Sequence, residues 1–451
     1  MMNYDPVFYS RILTGLTLGF HIIFATIGVG LPVMIAIAEF LGIKRKDPHY
    51  TLLARRWARG FVITVAVGVV TGTSIGLQLN LLWPSFMQIA GQAISLPLFM
   101  ETFAFFFEAI FLGIYLYTWD RWKNPWTHFA ISIPIIIGST LSAFFITIVN
   151  AFMNTPQGFK LSGRTIIDID PMVAMFNPAT PTKTAHVISS AYMTSAFVLA
   201  TIAALALLAG KKHVYYQKAL KLTMICGLIF SLSTAFIGDL SGKFLAEYQP
   251  EKLAAAEWHF ETTAQAPLVF AGYIDKEHNI HYGLKLPYAL SILAFADPNA
   301  VVKGLNDIPV DERPPLYIHY FFDAMVAIGS LMIVLCIAYL YLNRKKRRQQ
   351  GKEVPRWLLR FITFSGPLAM LAIESGWIFA EAGRQPWILR GYMKTAHGAT
   401  TATNVDWMLL MFSILYIILG FGAWTVLRRM FKTNTPEEEL ALRVDQGGEH
   451  Q

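Results

Sequence analysis

Residues 317–348 read YIHYFFDAMVAIGSLMIVLCIAYLYLNRKKRR, an apolar run that ends in five consecutive basic residues. A helix that crosses the hydrocarbon core of a bilayer needs about 20 mostly apolar residues. Clusters of Lys and Arg beside such a span favour the cytoplasmic side. This stretch therefore predicts a transmembrane helix whose C-terminal end lies in the cytoplasm.

Eight further runs meet the same criterion. The nine predicted spans cover residues 13–42, 59–83, 95–118, 127–153, 185–210, 219–241, 317–342, 358–383 and 406–428. Basic clusters follow the first, third, fifth, seventh and ninth spans, so every second connection is predicted to be cytoplasmic. The sequence thus predicts an all-α integral membrane protein with about nine transmembrane helices, an outer N-terminus and a cytoplasmic C-terminus.

The composition agrees with a membrane protein. Hydrophobic residues make up 55% of the chain and charged residues only 15%, against roughly 25% charged in a soluble domain. The net charge of +8 comes from short clusters between apolar runs, so we interpret it as a topology signal and expect no nucleic-acid partner. The two cysteines, Cys226 and Cys336, cannot form a thiolate metal site, so a metal would need His, Met or carboxylate ligands.

The spans divide the chain into four predicted parts. Residues 1–241 carry spans one to six, and residues 317–432 carry spans seven to nine. Residues 242–316 form a long outer segment, and a connection of that length is usually functional. Residues 433–451 are predicted to be a cytoplasmic tail. The sequence contains no internal repeat, which disfavours an inverted-repeat transporter.

Ionisable residues inside predicted spans are functional candidates, because charge in hydrocarbon is costly. They are His21, Glu101, Glu108, His186, Asp239, Glu374 and Glu381. Glu101 and Glu108 lie seven residues apart on one helical face, as in a proton relay or an ion path. Pairing with basic groups of the bundle is the alternative for these two carboxylates.

Two of these candidates, together with Met325, point to a metal. His21 has no polar neighbour in sequence, so a metal could serve as its partner, although a hydrogen-bonded core histidine is the alternative. His186 and Met325 lie at similar depth near the outer surface, and His plus Met is an axial ligand set of low-spin haem. Taken singly, a helix-end His is usually solvated and a Met is usually a core residue.

Residues 374–387, ESGWIFAEAGRQPW, are the most informative segment. Glu374, Trp377 and Glu381 fall on one helical stripe. Arg384 lies one turn further and could neutralise a carboxylate or a haem propionate. The pentapeptide at 383–387, GRQPW, resembles the signature of subunit I of the cytochrome bd quinol oxidases.

The resemblance extends along essentially the whole chain. It includes His21, Glu101, Glu108, the Trp-Asp-Arg turn at 119–121, His186, Asp239, the segment 252–257, Met325, Trp377 and Glu381. It implies that His186 and Met325 are the axial ligands of a low-spin b haem. It also implies that His21 and Glu381 each bind one of two further haems, a high-spin b haem and a haem d, in an order that stays open.

The resemblance implies roles for other residues as well. Trp377 would conduct electrons between haems, and Glu101 and Glu108 would serve proton delivery. Lys252 and Glu257, in the outer segment, match residues of quinol oxidation. On sequence grounds alone, these two would be an ordinary solvated charge pair.

The activity implied is that of a terminal oxidase of the bacterial cell membrane. Menaquinol or ubiquinol would be oxidised at the outer face, and dioxygen would be reduced to water with cytoplasmic protons, which builds a proton-motive force without pumping. A second large membrane subunit and a small single-span subunit would be partners. The alternatives are a cofactor-free secondary transporter using the same carboxylates, and a haem–copper oxidase, which the scarcity of deep histidines disfavours.

Overall fold

The computed structural model describes residues 4–163, 165–348, 354–433 and 435–441, with side chains omitted from 345 to 348. The helices are α1 (Pro6–Arg45), α2 (Pro48–Leu82), α3 (Pro84–Tyr117), α4 (Pro125–Asn154), α5 (Pro171–Met175), α6 (Thr180–Leu208), α7 (Val214–Tyr248), α8 (Pro250–Ala256), α9 (Ala289–Phe295), α10 (Ile318–Arg348), α11 (Arg356–Ala382), α12 (Thr395–Gly398) and α13 (Val405–Thr433).

The strands form short antiparallel pairs in the connections. They are β1 (Lys160–Ser162) with β2 (Thr165–Ile167), β3 (Thr263–Ala264) with β8 (Val301–Val302), β4 (Leu268–Phe270) with β7 (Leu284–Leu286), β5 (Tyr273–Ile274) with β6 (Ile280–His281), and β9 (Trp387–Leu389) with β10 (Met393–Lys394). Two 3-10 turns, Leu305–Asp307 and Val310–Glu312, follow β8.

Nine helices of the described chain are long and apolar enough to cross a membrane, namely α1 to α4, α6, α7, α10, α11 and α13. The predicted number of spans is therefore confirmed. The helices are longer than the predicted spans, because hydropathy locates only the part that lies in hydrocarbon. Helix α7 continues to Tyr248, so its last two turns include the first residues of the segment predicted at 242–316.

The helix starts follow from local sequence. Asp5, Asp47 and Asn124 precede α1, α2 and α4, and each side chain accepts a hydrogen bond from the backbone amide two residues later. A proline follows each of these caps, where its missing N–H costs nothing and its fixed φ suits the first helical turn. Short polar connections with these caps therefore separate successive spans sharply.

The packing of the spans has two parts that matter for the site. Helix α1 is central and contacts α2, α4, α6 and α13. Helices α6, α7, α10 and α11 form a four-helix group, in which α6 and α10 each contact both α7 and α11. Helix α3 packs on α4 and exposes a row of large apolar side chains on its other face, at Phe99, Phe103, Phe106 and Ile110.

The outer segment is fixed to the bundle by its own apolar cluster. Leu253 of α8, Leu290 of α9 and Leu305 are buried together with Leu245 of α7 and Phe379 of α11. Helix α8 therefore lies directly over the C-terminal ends of α7 and α11.

The predicted tail is described only in part. Residues 436–441 are helical, and Glu439 forms ion pairs with Arg56 and Arg59 on α2. Residues 434 and 442–451 of the predicted tail lie outside the described residues.

Candidate functional site

His186 and Met325 lie on α6 and α10, which are diagonal helices of the four-helix group. A glycine faces each of them. A Cβ atom at Gly238 of α7 would lie 3.5 Å from Cε1 of His186, and one at Gly376 of α11 would lie 3.0 Å from Sδ of Met325. A side chain at Gly376 would crowd Met325, whereas a Cβ atom at Gly238 would make an ordinary contact with His186.

The ring of His186 makes no hydrogen bond within the described part of the chain. Its Nδ1 atom is buried and has no partner, and an unpaired buried polar atom carries a free-energy cost. Coordination of iron by this ring would offset that cost. An imidazole and a thioether on diagonal helices thus fit an axial ligand pair for a low-spin haem.

His21 of α1 has one ring nitrogen bonded and the other open. Its Nδ1 lies 2.8 Å from Oγ1 of Thr71 on α2, and the Thr71 hydroxyl lies 2.8 Å from the carbonyl oxygen of Val67. The single hydroxyl proton is donated to that carbonyl, so Thr71 accepts from Nδ1–H of His21. This tautomer places the lone pair on Nε2, as a metal-binding histidine requires.

Glu381 lies near the outer end of α11 in a positively charged setting. Its Oε1 accepts a hydrogen bond from Asn150 of α4, and its Oε2 forms an ion pair with Arg384. Lys183 of α6 and Lys252 of α8 also attract its charge. A carboxylate has about four acceptor positions, so an ionised Glu381 retains the capacity to bind iron.

A row of amides connects Glu381 to the outer segment. Asn150 accepts at its backbone oxygen from Asn154, 2.8 Å away, and Asn154 accepts at Oδ1 from Gln249, 3.1 Å away. Gln249 directly precedes α8. The amides therefore join the Glu381 site to the helix that carries Lys252.

Trp377 and Glu374 complete the predicted stripe of α11 and are both half-buried. A Cβ atom at Gly19 of α1 would lie 3.6 Å from Oε2 of Glu374. Glu374 therefore lies against α1 two residues from His21. Its Oε1 atom is buried and no described group hydrogen-bonds to it.

Glu101 and Glu108 face α4. Ser142 donates a hydrogen bond of 3.0 Å to Oε1 of Glu101. At Glu108 the two helices are in close contact, because a Cβ atom at Gly138 would lie 2.8 Å from Cβ of Glu108. The two carboxylates thus lie along one interface, as their spacing predicts, and no ion pair to either is found among the described residues.

Lys252 of α8 is buried against the end of α11. Its Nζ donates to the carbonyl oxygen of Ala380 at 3.0 Å and lies 4.7 Å from the ring centre of Phe379. Gly383 makes this contact possible, because a Cβ atom there would lie 2.6 Å from Cε of Lys252. Burial lowers the pKa of Lys252 to about 7.

Glu257 caps the other end of α8 and is 1% exposed. Neither of its carboxylate oxygens accepts a hydrogen bond with good geometry from a described residue, although the backbone amide of Val269 lies near the carboxylate. Burial first, and then the negative charge of Asp323, raise its pKa to about 8. Lys252 and Glu257 are therefore not the solvated pair that the sequence alone favours.

A histidine lies beside Glu257 at the start of α10. His319 is fully buried, donates from Nδ1 to the Ala256 carbonyl at 2.6 Å, and pairs with Asp323 at 3.2 Å. Trp258 stacks on its ring with a centroid distance of 3.8 Å. Because Asp323 precedes Met325 by two residues, Glu257 adjoins the His186/Met325 region, whereas Lys252 adjoins Glu381.

The sequence matches the family "Cytochrome bd terminal oxidase subunit I" over residues 9–435. The chain belongs to this family. A Bacillus subtilis (strain 168) protein named "Putative cytochrome bd menaquinol oxidase subunit I" is 42% identical over 441 residues, which cover 97% of this chain and 99% of that protein. The "Cytochrome bd ubiquinol oxidase subunit 1" of the same organism is 34% identical and covers 91% of this chain and 90% of its own length.

A solved structure agrees with the family. The bd oxidase from Geobacillus thermodenitrificans has a chain 64% identical to this one, with a TM-score of 0.92, covering 96% of this chain and all of that chain. The present protein is thus a multi-pass protein of the bacterial membrane and subunit I of a haem-containing terminal oxidase. The designation as subunit I implies at least a second subunit.

Several polar residues of this bd-family site are not singled out by the sequence analysis. Asn150 and Thr71 each hydrogen-bond to a predicted ligand, Lys183 attracts the charge of Glu381, and His319 adjoins Glu257. Lys183 lies one turn before His186, and His319 precedes Asp323 by four residues, so helical spacing could have identified these two. Thr71 and Asn150 are neutral residues in apolar runs, and only their tertiary contacts distinguish them.

Proposed function

We propose that this subunit oxidises a membrane quinol, menaquinol or ubiquinol, at the outer face and supports the reduction of dioxygen to water. The observation that carries the proposal is the pair of buried ionisable groups on α8. Burial moves the pKa of Lys252 down to about 7 and that of Glu257 up to about 8. Two groups that exchange protons near neutral pH suit a reaction that releases two protons. Two relatives are named as quinol oxidases, which supports it.

The ligands of the haem groups follow from the donor chemistry described above. His186 and Met325 would hold a low-spin b haem, and His21 and Glu381 would each hold one of a high-spin b haem and a haem d, in an order left open. When bound, the haems supply the redox-active iron that accepts quinol electrons and binds dioxygen. Trp377, on the α11 stripe between Glu374 and Glu381, would lie between haems.

This chain's own residues would then handle charge and protons at the outer end. Glu257 would accept a proton from a quinol hydroxyl, and Lys252 would donate a hydrogen bond to a quinol oxygen. Arg384 and Lys183 would neutralise carboxylates at the Glu381 site, including haem propionates. Because these groups lie at the outer face predicted from the charge bias, quinol protons would leave outward.

Protons for water would come from the opposite side. Glu101 and Glu108, aligned on α3 with Ser142 between the helices, would carry protons from the cytoplasm toward His21. Release outside and uptake inside would build a proton-motive force without a pump. The exposed apolar face of α3 would meet a second large membrane subunit, and a small single-span subunit would complete the complex.

The test is quinol oxidase turnover of the assembled complex carrying Glu257→Gln or Lys252→Met. We expect turnover to fall by about 10²–10⁴-fold, the usual contribution of a positioned acid or base, while the reduced-minus-oxidised spectrum stays unchanged. Glu277→Gln and Lys276→Met remove exposed charges from the same segment and are the matched controls.

Unchanged turnover in both α8 variants would contradict the role of Lys252 and Glu257 in quinol oxidation. An iron-free, colourless complex would contradict the whole proposal. The alternative would then be a cofactor-free transporter, which no observation supports.

A further inference from the structure

The short helix α9 of the outer segment presents an exposed apolar face. Tyr288, which caps the helix, Ile292 and Phe295 follow one another at spacings of four and three, so they lie on one stripe. Their side chains are 45%, 48% and 46% exposed, respectively. Residues 282–296 contain a single charged residue, Lys285. An exposed apolar surface of this kind marks a contact with another molecule or with a membrane.

The opposite face of α9 is held in place, so the apolar face cannot turn inward. Leu290 is buried in the cluster that contains Leu253 of α8. Ser291 is fully buried, and its hydroxyl donates to the Ala300 carbonyl at 2.8 Å and accepts from the Ala266 amide at 2.9 Å. Rotation of α9 would break these hydrogen bonds and expose Leu290, which is costly.

Helix α9 packs on the C-terminal part of α7. A Cβ atom at Gly242 of α7 would lie 2.9 Å from Cδ1 of Leu293, so the two helices are in close contact there. Asp239 and Lys243, on either side of Gly242 in the sequence, form an ion pair. Because charged side chains are costly in hydrocarbon, this pair places the contact between α7 and α9 at the level of the lipid headgroups.

The exposed surface continues from α9 onto the membrane-spanning part of α7. Ala235 lies seven residues before Gly242, two turns away on the same face, and is exposed. Its neighbours Leu232 and Phe236 are 51% and 66% exposed. Because α7 crosses the membrane, this surface lies in hydrocarbon, and α9 lies about 10 Å from it along the α7 axis. Helix α9 is therefore at the boundary between hydrocarbon and headgroups.

We propose that α9 is an interfacial helix, with its face of Tyr288, Ile292 and Phe295 inserted into the lipid leaflet at the C-terminal end of α7. A helix with one apolar face lies in the plane of the membrane surface, with that face about 5–10 Å deep in the boundary of headgroups and acyl chains. Tyr288 suits this depth, because its ring is apolar and its hydroxyl can reach water. We assign lipid as the occupant because the face continues the exposed surface of a span.

The lipid contact would fix the position of α8 relative to the membrane surface. Leu290 on the buried face of α9 shares its cluster with Leu253 of α8, which directly follows Lys252. Lipid on one side of α9 would thus hold the helix that carries Lys252 and Glu257 on the other side. The value of this for quinol oxidation rests on the proposed function, whereas the lipid contact itself does not.

The test uses the assembled complex in phospholipid vesicles, with nitroxide spin labels attached at Ile292→Cys and Phe295→Cys. Power-saturation electron paramagnetic resonance compares collisions of each label with dioxygen, which concentrates in hydrocarbon, and with a water-soluble nickel chelate. We expect both labels to collide more often with dioxygen, and a label at Glu277→Cys, exposed in the β5–β6 turn, to show the reverse. Cys226 and Cys336 are buried, and the complex without new cysteines measures background labelling.

Two outcomes of this measurement would overturn the proposal. Labels at 292 and 295 that behave like the label at 277 would place the face in water. Low access of both reagents would show that a partner subunit covers α9 instead of lipid.

A second measurement tests the connection to α8. Ile292→Ser combined with Phe295→Ser should increase hydrogen–deuterium exchange of the amides at 250–256 in vesicles. Tyr273→Ser, which shortens an exposed side chain of the same segment, is the matched control and should leave this exchange unchanged. Equal exchange in both variants would contradict the connection. Quinol turnover enters neither measurement, so a failure of the proposed function and a failure of this proposal can be distinguished.

Discussion

Two polar clusters of this protein contain the same residue types but differ in their hydrogen bonding. Near the C-terminal end of α1, Glu39 is bonded at Oε1 to Nδ1 of His128 at 2.6 Å and at Oε2 to the hydroxyl of Tyr115 at 2.7 Å. Nε2 of His128 reaches the Tyr115 carbonyl at 2.9 Å. At the C-terminal end of α8, Glu257 is also buried, but its carboxylate accepts no hydrogen bond from a described group.

The difference teaches which polar groups hold the fold and which are available for chemistry. A buried group whose partners are all present stabilises one packing arrangement, and removing a partner is costly. A buried polar group without a hydrogen-bond partner destabilises the fold unless a substrate, cofactor or proton supplies the missing interaction. By this criterion the Glu39 cluster is structural, whereas Glu257, His186 and His21 are the candidates for a functional role.

The largest expected effect tests the structural side. Glu39→Leu would leave Nδ1 of His128 and the hydroxyl of Tyr115 without their partner, and we expect the free energy of unfolding to fall by about 3–5 kcal/mol, as for a broken buried pair. Chemical denaturation of the complex in detergent measures it. Glu39→Gln, which keeps hydrogen-bonding atoms in place, should lose clearly less. A stable Glu39→Leu complex with impaired turnover would contradict the structural assignment.

The second prediction concerns His21, whose ring has a described hydrogen-bond partner at Nδ1 only. Thr71→Val keeps the shape of the side chain but removes the acceptor for Nδ1–H, so the ring loses its fixed tautomer. We expect affinity for the haem at His21 to fall by about 10–100-fold, as for other lost partners of metal-binding histidines. Haem content after detergent washing measures it. Thr73→Val, at an exposed position of the same helix, should have no effect; equal losses in both variants would count against the tautomer.

The third prediction uses the pH dependence of stability. The pKa of Glu257 is raised from 4.5 to about 8 in the folded protein, so folding favours the protonated form. Its contribution is complete below the unfolded pKa and is lost as the pH rises through 8. Glu257→Gln should therefore raise the unfolding temperature relative to wild type more at about pH 9 than at about pH 5. A difference independent of pH would mean that Glu257 is not buried in this way.

The smallest effect is expected at a solvated carboxylate–histidine pair. Asp275 and His281 lie 2.8 Å apart in the outer segment, with 48% of the His281 side chain exposed. The hydrogen bond from His281 lowers the pKa of Asp275 to about 2, so any stabilisation is present at neutral pH and lost in acid. Solvent screens this pair, and Asp275→Asn should leave turnover unchanged and the unfolding temperature almost unchanged. A large shift in the unfolding temperature would show that solvent exposure does not weaken this pair.

The sequence analysis succeeds where the signal is local. Nine spans follow from apolar length, and the GRQPW segment with the predicted ligand positions indicates the bd family. Glu39 lies inside the first predicted span and is absent from the predicted intramembrane set, although its charge was visible in the sequence. For Lys252 and Glu257, sequence alone favours the alternative of a solvated charge pair, whereas the structure buries both side chains.

What the amino-acid sequence alone determined is therefore the number of membrane-spanning helices and the family, because hydropathy and sequence motifs are properties of short segments. The donor groups stay predictions from side-chain chemistry and helical spacing. Only the tertiary structure decided which buried polar groups have all of their hydrogen-bond partners. His128 is 89 residues from Glu39 and Thr71 is 50 residues from His21, so each hydrogen bond depends on which helices meet. The completeness of those bonds, rather than residue type, separates the Glu39 cluster from the groups proposed to be functional.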